Sequence, residues 1–340
     1  MGSRKISIQV GKGKGAKHRK RGSSSFAGRF HGQDERGLGS LALAETRKAA
    51  EGGDAASQCL MAKACLQGAG CALDAQAGAA WYRRAAEQGS AEGWFGLFSC
   101  AIQGLGMPKD DAEAFRACEK AAELGHVDAM ANMGLLLLNG TGCQADPAKS
   151  REWLEKAAEQ DSAEAQYNLS CQLYREVADR AARGEAVEPV NGFQGGTAER
   201  DAMFWLYKAA EQDLPEAVIG LTRKLYQHGV GCVEDAPSGG WLERAADLGD
   251  AWASFELGHV RWHYAQSREE KMAALKRILA AARAGMPHAE YMAGNLAVTG
   301  QAPGLFRREG LAWLKKAAAH GVEQAKIILE LEEAEGSGSR

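Results

Sequence analysis

Residues 126–161 read HVDAMANMGLLLLNGTGCQADPAKSREWLEKAAEQD, and this stretch decides the fold of the chain. The same pattern recurs in seven blocks along the 340 residues. Each block has a slot, filled here by Trp153, that is followed four residues later by an Ala-Ala pair. The slots fall at residues 81, 117, 153, 205, 241, 277 and 313, so they are 36, 36, 52, 36, 36 and 36 residues apart. Such a period is typical of stacked helical units that share a continuous core.

Each block predicts two helices joined by a turn. Ala129 and Met133, at positions four and eight of this block, lie on one face of the first helix. Gly134 beside them permits a close approach of the next helix, and Gly140 and Gly142 supply the positive φ values that end a helix. Position eight is apolar in all seven blocks: Met61, Leu97, Met133, Leu169, Leu221, Leu257 and Ala293. The second helix is predicted to begin at an aspartate N-cap in three blocks, at Asp74, Asp110 and Asp146.

Several irregularities interrupt the period. Ala117 and Arg277 fill the tryptophan slot in the second and sixth blocks. The fourth block is 16 residues longer than the others (52 against 36), so we expect its first helix to extend to about Arg183 before a loop. The sixth block lacks the glycine turn, over residues 261–267. An eighth block begins at Val322, and its glutamate-rich helix is predicted to cap the array.

The predicted organisation is all-α. A basic, disordered tail is predicted over 1–36, a helical solenoid over 37–335 and a flexible end over 336–340. The repeats are predicted at 54–89, 90–125, 126–161, 162–213 with the 16-residue insertion, 214–249, 250–285 and 286–321, followed by the cap at 322–335.

Charge is distributed unevenly along the chain. Residues 1–36 hold ten Lys/Arg and two Asp/Glu, a net +8, whereas the other 304 residues hold 31 and 42, a net −11. The run from Lys12 to Arg21 is the one hint of nucleic-acid binding, since such runs attract phosphate by charge alone. No aromatic residues interleave with it, and a solvated or intramolecularly docked tail is the other interpretation.

Membrane insertion and export are not indicated by the sequence. No apolar run approaches the roughly 20 residues that span a bilayer, and the N-terminus lacks a secretory core. The eight cysteines form neither a C-x-x-C pair nor a zinc spacing with histidine, so we interpret them as free structural thiols. These features predict a cytoplasmic protein without cofactor or metal.

The repeated pattern resembles the Sel-one-like repeat, a relative of the tetratricopeptide repeat. The third block carries the resemblance most fully, with Ala129, Met133-Gly134, Gly140-Thr-Gly142, Asp146 and the segment Trp153-Leu-Glu-Lys-Ala-Ala-Glu159. The resemblance covers about residues 40–335. It implies a right-handed αα-superhelical solenoid of about seven repeats plus a capping helix, with the first helices lining the concave side. Members of this family are mostly adaptors, and they share no catalytic residues.

A polar stripe on the first helices is the predicted binding groove. If positions four and eight are buried, positions three, seven, ten and fourteen face elsewhere. We expect a protein segment to contact Lys63, Asn132, Asn139, Asn168, Arg175, Arg223, Gln227, Glu256, His259, His263 and Asn295. Asn132 and Asn168 hold the same slot in adjacent blocks and could clamp a peptide backbone. The alternative is a solvated helix face without a partner.

Glu256, His259 and His263 share one side of a helix, which raises the question of a metal site. They do not form the H-E-x-x-H arrangement and lack an evident fourth ligand, so partner contact is favoured.

The resulting functional hypothesis is a non-enzymatic adaptor that binds a protein or peptide in its groove. A dedicated inhibitor or immunity-type regulator of one enzyme or toxin is the second hypothesis. A nucleic-acid-associated factor that acts through the 1–36 tail is the third. The sequence shows no phosphate loop, catalytic triad or carboxylate dyad that would indicate an enzyme.

Overall fold

A computed structural model of the chain describes residues 35–187, 189–190, 193–227 and 239–338. The described residues form sixteen α-helices and one isolated β-bridge, between Val190 and Phe193. The helices are α1 (Glu35–Glu51), α2 (Ala55–Gln67), α3 (Ala75–Glu87), α4 (Ala91–Gln103), α5 (Asp111–Glu123), α6 (Val127–Asn139), α7 (Pro147–Ala158), α8 (Ala163–Ala182), α9 (Gly196–Glu211), α10 (Pro215–Gln227), α11 (Gly239–Asp247), α12 (Ala251–Tyr264), α13 (Arg268–Arg283), α14 (Pro287–Val298), α15 (Arg307–Ala319) and α16 (Glu323–Gly338). The all-α, two-helix repeat is therefore confirmed.

The chain divides into two compact units inside α9, at Trp205 and Leu206. In the first unit, α2–α3, α4–α5 and α6–α7 pack as hairpins, and each hairpin packs on the next. In the second unit, α12–α13 and α14–α15 form hairpins, α10 and α11 precede them, and α16 packs on α15. Each unit is thus a short stack of the predicted repeats.

The core of each unit is built from the positions that the sequence pattern selects. The position-eight side chains are all buried, from Met61 (1% exposed) to Ala293 (0%). Both alanines of the Ala-Ala pair are buried in six of the seven repeats, and Ala318 is half-buried in the last. Alanine here removes apolar surface from water while keeping the two helix backbones close.

Small residues at position nine complete this close approach. A Cβ added to Gly134 would lie 2.5 Å from Leu154, one added to Gly258 would lie 2.9 Å from Ile278, and one added to Gly294 would lie 2.7 Å from Leu314. Any larger side chain would force the paired helices of those repeats apart.

Hydrogen-bonding caps fix where the helices begin and end. Asp74, Asp110 and Asp146 accept backbone N–H groups at the starts of α3, α5 and α7, as predicted. In two repeats an aspartate takes the place of the terminal glycine, and Asp161 and Asp213 adopt the left-handed conformation there, with φ of 60° and 61°. The cap geometry therefore sets the 36-residue unit locally.

A set of polar ties between repeats was not predicted. At position five, the Gln58 and Gln166 amides donate to the carbonyls of Ala50 and Ala158, each over 3.1 Å. Ala158 is the second alanine of the preceding repeat. Ala50 in α1 holds the equivalent place, so α1 serves as the second helix of an incomplete repeat.

The irregular blocks keep the two-helix plan. Helix α8 ends at Ala182 with Arg183 as its C-cap, which confirms the predicted extension. In the sixth block, Ser267 forms a capping box with Glu270 and starts α13 without a glycine turn. The capping helix α16 is confirmed but extends to Gly338, three residues past the predicted end at 335.

Two sequence-based predictions fall outside the described residues. The disorder of the tail concerns residues that, apart from the first turn of α1, are not described. The predicted turn at Gly229 and Gly231 and the thiol of Cys232 lie in the undescribed stretch 228–238.

The second turn glycine of the third repeat offers a test of the close packing. A Cβ on Gly142 (φ 72°) would lie 2.0 Å from the Asp111 carbonyl oxygen, whereas one on Gly125 (φ 91°) meets nothing within 4 Å. Gly125→Ala should cost roughly 1–2 kcal/mol through the positive φ alone. Gly142→Ala should lower the free energy of unfolding by about 1–3 kcal/mol more than Gly125→Ala does, because the backbone at Asp111 must move. Urea unfolding of both variants measures the difference, and equal costs would contradict the packing argument.

Candidate binding face of the first helices

The structure places the predicted stripe residues at different depths. Those that are exposed are Lys63, Asn139, Arg175, Arg223, Gln227, His259 and His263. Those that are half-buried are Asn168, Glu256 and Asn295. Asn132 is buried, with 6% of its surface exposed. The stripe therefore lies mainly on the surface of the first helices within each unit.

Asn132 already serves its own helix. Its amide nitrogen donates to the Asp128 carbonyl over 2.7 Å, and its amide oxygen is buried without a hydrogen-bond partner. Asn168 is the more accessible of the two amides. Because Asn132 is buried and its amide nitrogen is already bonded, the structure does not present it as an open amide. The clamp by Asn132 and Asn168 stays a prediction.

A charged network links three successive first helices of the first unit. Glu92 at the start of α4 contacts the Lys63 ammonium of α2 at 2.7 Å through one carboxylate oxygen. Its other oxygen lies 3.2 Å from Nε2 of His126, the N-cap residue of α6. Because His126 Nδ1 accepts the Ala129 N–H, the proton is on Nε2 and His126 donates to Glu92. Lys63 is one of the predicted stripe residues, whereas Glu92 and His126 are not.

This network keeps Glu92 ionised. The hydrogen bond from His126 is the largest cause, and Lys63 adds to it, so the pKa of Glu92 falls from its ordinary 4.5 to about 2. The Glu92 side chain is 41% exposed, so solvent weakens the contribution of these contacts to stability. The result is a fixed negative charge on the surface of α4.

A shallow depression lies beside the network. Its walls combine small apolar side chains of α2 with the connection between α3 and α4, and Lys63 and Glu92 stand at its rim. Leu60 in this wall has 55% of its surface exposed. The lining residues are Ala55, Ala56, Cys59, Leu60, Lys63, Gln88, Gly89, Ser90 and Glu92. An exposed leucine beside an ion pair is suited to contact an apolar side chain of a partner.

Aromatic side chains accompany the stripe in the second unit. Trp252 packs edge-on against Tyr226 with ring centroids 5.1 Å apart, and the Tyr226 hydroxyl lies 3.4 Å from Glu256 Oε2. His259 stacks on Phe255 at 5.8 Å. Trp252 occupies position three of its repeat, so the stripe periodicity could have found it.

The tryptophans of the repeat slot have a different role. Trp81, Trp153 and Trp313 are half-buried and pack against the helix cores. A basic residue three positions later covers the ring face in these repeats, for example Lys316 at 4.3 Å from the Trp313 centroid. Where Arg277 replaces tryptophan, it forms an ion pair with Asp247 at 2.6 Å.

Neither a cluster of metal ligands nor a membrane-spanning helix is found among the described residues. They contain no group of three or more His, Cys, Asp or Glu side chains arranged to hold a metal ion. Within the same ranges, no helix combines the length and the apolar character that crossing a bilayer requires.

Helical repeats with an exposed first-helix face define the class as an αα-repeat protein, and the family follows from comparison. The Sel1 repeat model matches residues 55–90, 95–126, 127–162, 163–176, 194–214, 240–250 and 287–322, which together exceed half of the chain. The chain belongs to the Sel1 repeat family. The matched segments flank the insertion of the fourth block and leave out most of the irregular sixth block. Proteins built from these repeats generally mediate protein–protein interactions.

Solved structures agree with this assignment. The chain is 26% identical to a protective antigen present in uropathogenic Escherichia coli strains that displays an SLR fold, with a TM-score of 0.62. That match covers 86% of this chain, which spans only 59% of the antigen. A Sel1 repeat protein from Oxalobacter formigenes is also 26% identical, with a TM-score of 0.55 and coverage of 88% and 82%.

Two other comparisons give no functional information. An immunity protein from Pseudomonas aeruginosa, at 20% identity and a TM-score of 0.31 with coverage of 67% and 82%, is too distant to bear on function. No curated protein sequence matches the chain.

The pKa of Glu92 generates a test of the network. A lowered folded-state pKa stabilises the protein above pH 4.5, and this contribution is lost as pH falls towards 2. Glu92→Gln should therefore cost up to about 1 kcal/mol at pH 7 and nothing near pH 2. Urea unfolding of the wild-type protein and of Glu92→Gln between pH 2 and pH 7 measures the difference in free energy of unfolding.

Lys63→Met separates the two causes. The His126 hydrogen bond lowers the pKa of Glu92 more than Lys63 does. The free energy of unfolding of Lys63→Met should therefore keep most of the pH dependence that is lost in Glu92→Gln. A Glu92→Gln effect that does not change with pH would contradict the assignment.

Proposed function

We propose that the chain is a non-enzymatic scaffold that binds a protein segment on the exposed face of its first helices. The observation that carries the proposal is the depression on α2 and α4, where exposed Leu60 lies beside the Lys63–Glu92 ion pair. Isolated apolar surface side chains are common, but one set in a concave site beside an ion pair offers a partner both apolar contact and charge.

The repeat architecture supports a binding role over a catalytic one. In the first unit, the apolar core cluster consists almost entirely of alanine, leucine, methionine and cysteine, which hold the helices together. Two cations of the stripe form ion pairs, Lys63 with Glu92 and Arg223 with Asp250. A surface of this kind is suited to recognise a partner by shape and charge.

The partner segment is expected to combine an apolar side chain with charged neighbours. The apolar side chain would fill the depression next to Leu60, and the ionised Glu92 would attract a basic group. In the second unit, the rings of Trp252 and Tyr226 beside Glu256 offer a similar combination of apolar surface and negative charge. Aromatic residues of this type are enriched at the energetic centres of interfaces.

Leu60→Asp tests the depression directly. Phage-displayed random peptides are selected on the immobilised full chain, and the affinity of enriched peptides is measured for each variant by fluorescence anisotropy. Placing a carboxylate in the apolar wall should weaken binding by about tenfold or more, because burying a leucine contributes roughly 1.5–3 kcal/mol.

Leu73→Asp is the matched control. Leu73 is also an exposed leucine, at 71%, but it lies in the turn before α3 and does not line the depression. Its substitution should leave affinity unchanged within about twofold. Failure to enrich any peptide, or equal binding by both variants, would refute the assignment of the binding site.

A further inference from the structure

Two cysteines of the first repeat lie together where a turn folds back on its helix. Cys65 is in the last turn of α2, and Cys71 is in the turn that leads to α3. Cys65 belongs to a small buried cluster with Ala50 and Met61, and Cys71 packs against that cluster. The two cysteines therefore share one small apolar cluster at the end of α2.

The backbone holds this pair in place from both ends of the turn. Gly68 ends α2 in the left-handed conformation, and the Ala69 N–H donates to the Ala64 carbonyl over 3.0 Å. Beyond Cys71, the Asp74 N–H donates to the Cys65 carbonyl itself over 2.9 Å. The turn therefore returns to Cys65 in the folded protein, so the two thiols do not depend on a chance encounter.

The equivalent turn of the third repeat has only one cysteine. Cys143 holds the same turn position as Cys71, but its thiol lies 3.8 Å from the Leu136 carbonyl. The residue that corresponds to Cys65 in that repeat is Leu137. Cys65 and Cys71 are both free thiols in the structure. Among the described repeats, the first alone therefore places a second thiol at this point.

We propose that Cys65 and Cys71 form a redox-active dithiol that is oxidised reversibly to an intramolecular disulfide by a low-molecular-weight disulfide such as oxidised glutathione. Reversible pairs of this kind serve as redox sensors in reducing compartments. The disulfide would covalently join the end of α2 to the turn that presents Asp74, the N-cap of α3.

Accessibility assigns the order of the two steps. Cys71 is half-buried, whereas Cys65 has 6% of its surface exposed and burial raises the pKa of its thiol. The Cys71 sulfur, after losing its proton to solvent, attacks glutathione disulfide and expels one glutathione thiolate. The Cys65 sulfur then loses its proton, attacks the Cys71 sulfur and expels the second thiolate. Two protein thiols become one disulfide, and the reagent is reduced to two thiols.

Mass mapping of the full chain tests this proposal. The reduced protein is incubated in glutathione buffers of increasing oxidised fraction, quenched with acid and alkylated in guanidinium chloride. Trypsin releases Cys65 and Cys71 together in peptide 64–83, and Cys143 alone in peptide 121–149. In oxidising buffer, peptide 64–83 should carry no alkyl group and should weigh two hydrogens less than its reduced, unalkylated form. Treatment with a dithiol reductant followed by alkylation should give the doubly alkylated peptide. Peptide 121–149 should remain alkylated.

Single substitutions distinguish the two roles. Cys65→Ser should leave Cys71 as a stable mixed disulfide with glutathione, because no second thiol can displace it. In Cys71→Ser, Cys65 should be fully alkylated and should carry no glutathione. The proposal is overturned if peptide 64–83 stays fully alkylated in oxidising buffer, or if wild-type protein accumulates only mixed disulfides there.

Discussion

The close approach of paired helices at small side chains is the constraint on which the rest of the structure depends. The Ala-Ala pairs are almost completely buried, and Gly134, Gly258 and Gly294 each face a large side chain of the second helix with no room for a Cβ. Close contact between backbones adds to the dispersion energy that the buried leucine, methionine and isoleucine side chains supply to the hairpins. The constraint fixes which face of each first helix is buried, and therefore which face is left for a partner.

Variation is confined to positions outside this contact. In the first unit, the cap position and the stripe positions carry the Lys63–Glu92–His126 network, which joins three repeats through their surface. In the second unit, Trp252 takes the repeat position of Glu92 and packs against Tyr226, which adds aromatic surface. The same backbone plan thus presents charge in one unit and aromatic rings in the other, as expected if each repeat array is adapted to a particular partner.

Periodicity predicted the fold well because the helix pairs are determined locally. The turn glycines, the Asp74-type caps and the buried position-eight residues are all read from spacing within one block. The binding face was predicted less well, because exposure depends on contacts between blocks. Asn132 belongs to the polar stripe by spacing, yet it is buried, whereas Glu92 and His126 become a pair only when α4 and α6 are stacked. The hydrogen bond from Gln58 to the Ala50 carbonyl also joins neighbouring blocks, so spacing within one block does not predict it.

Amide hydrogen exchange of the full chain, with and without a selected peptide, tests the central claim that the first helices form the binding face. We expect slower exchange in α2 and α4 of the peptide-bound protein, with α3 and α5 unchanged. The depression is lined by α2, the connection between α3 and α4 and the start of α4, and by no residue within α3 or α5. Slower exchange confined to the second helices, or to no helix of the repeats, would contradict it.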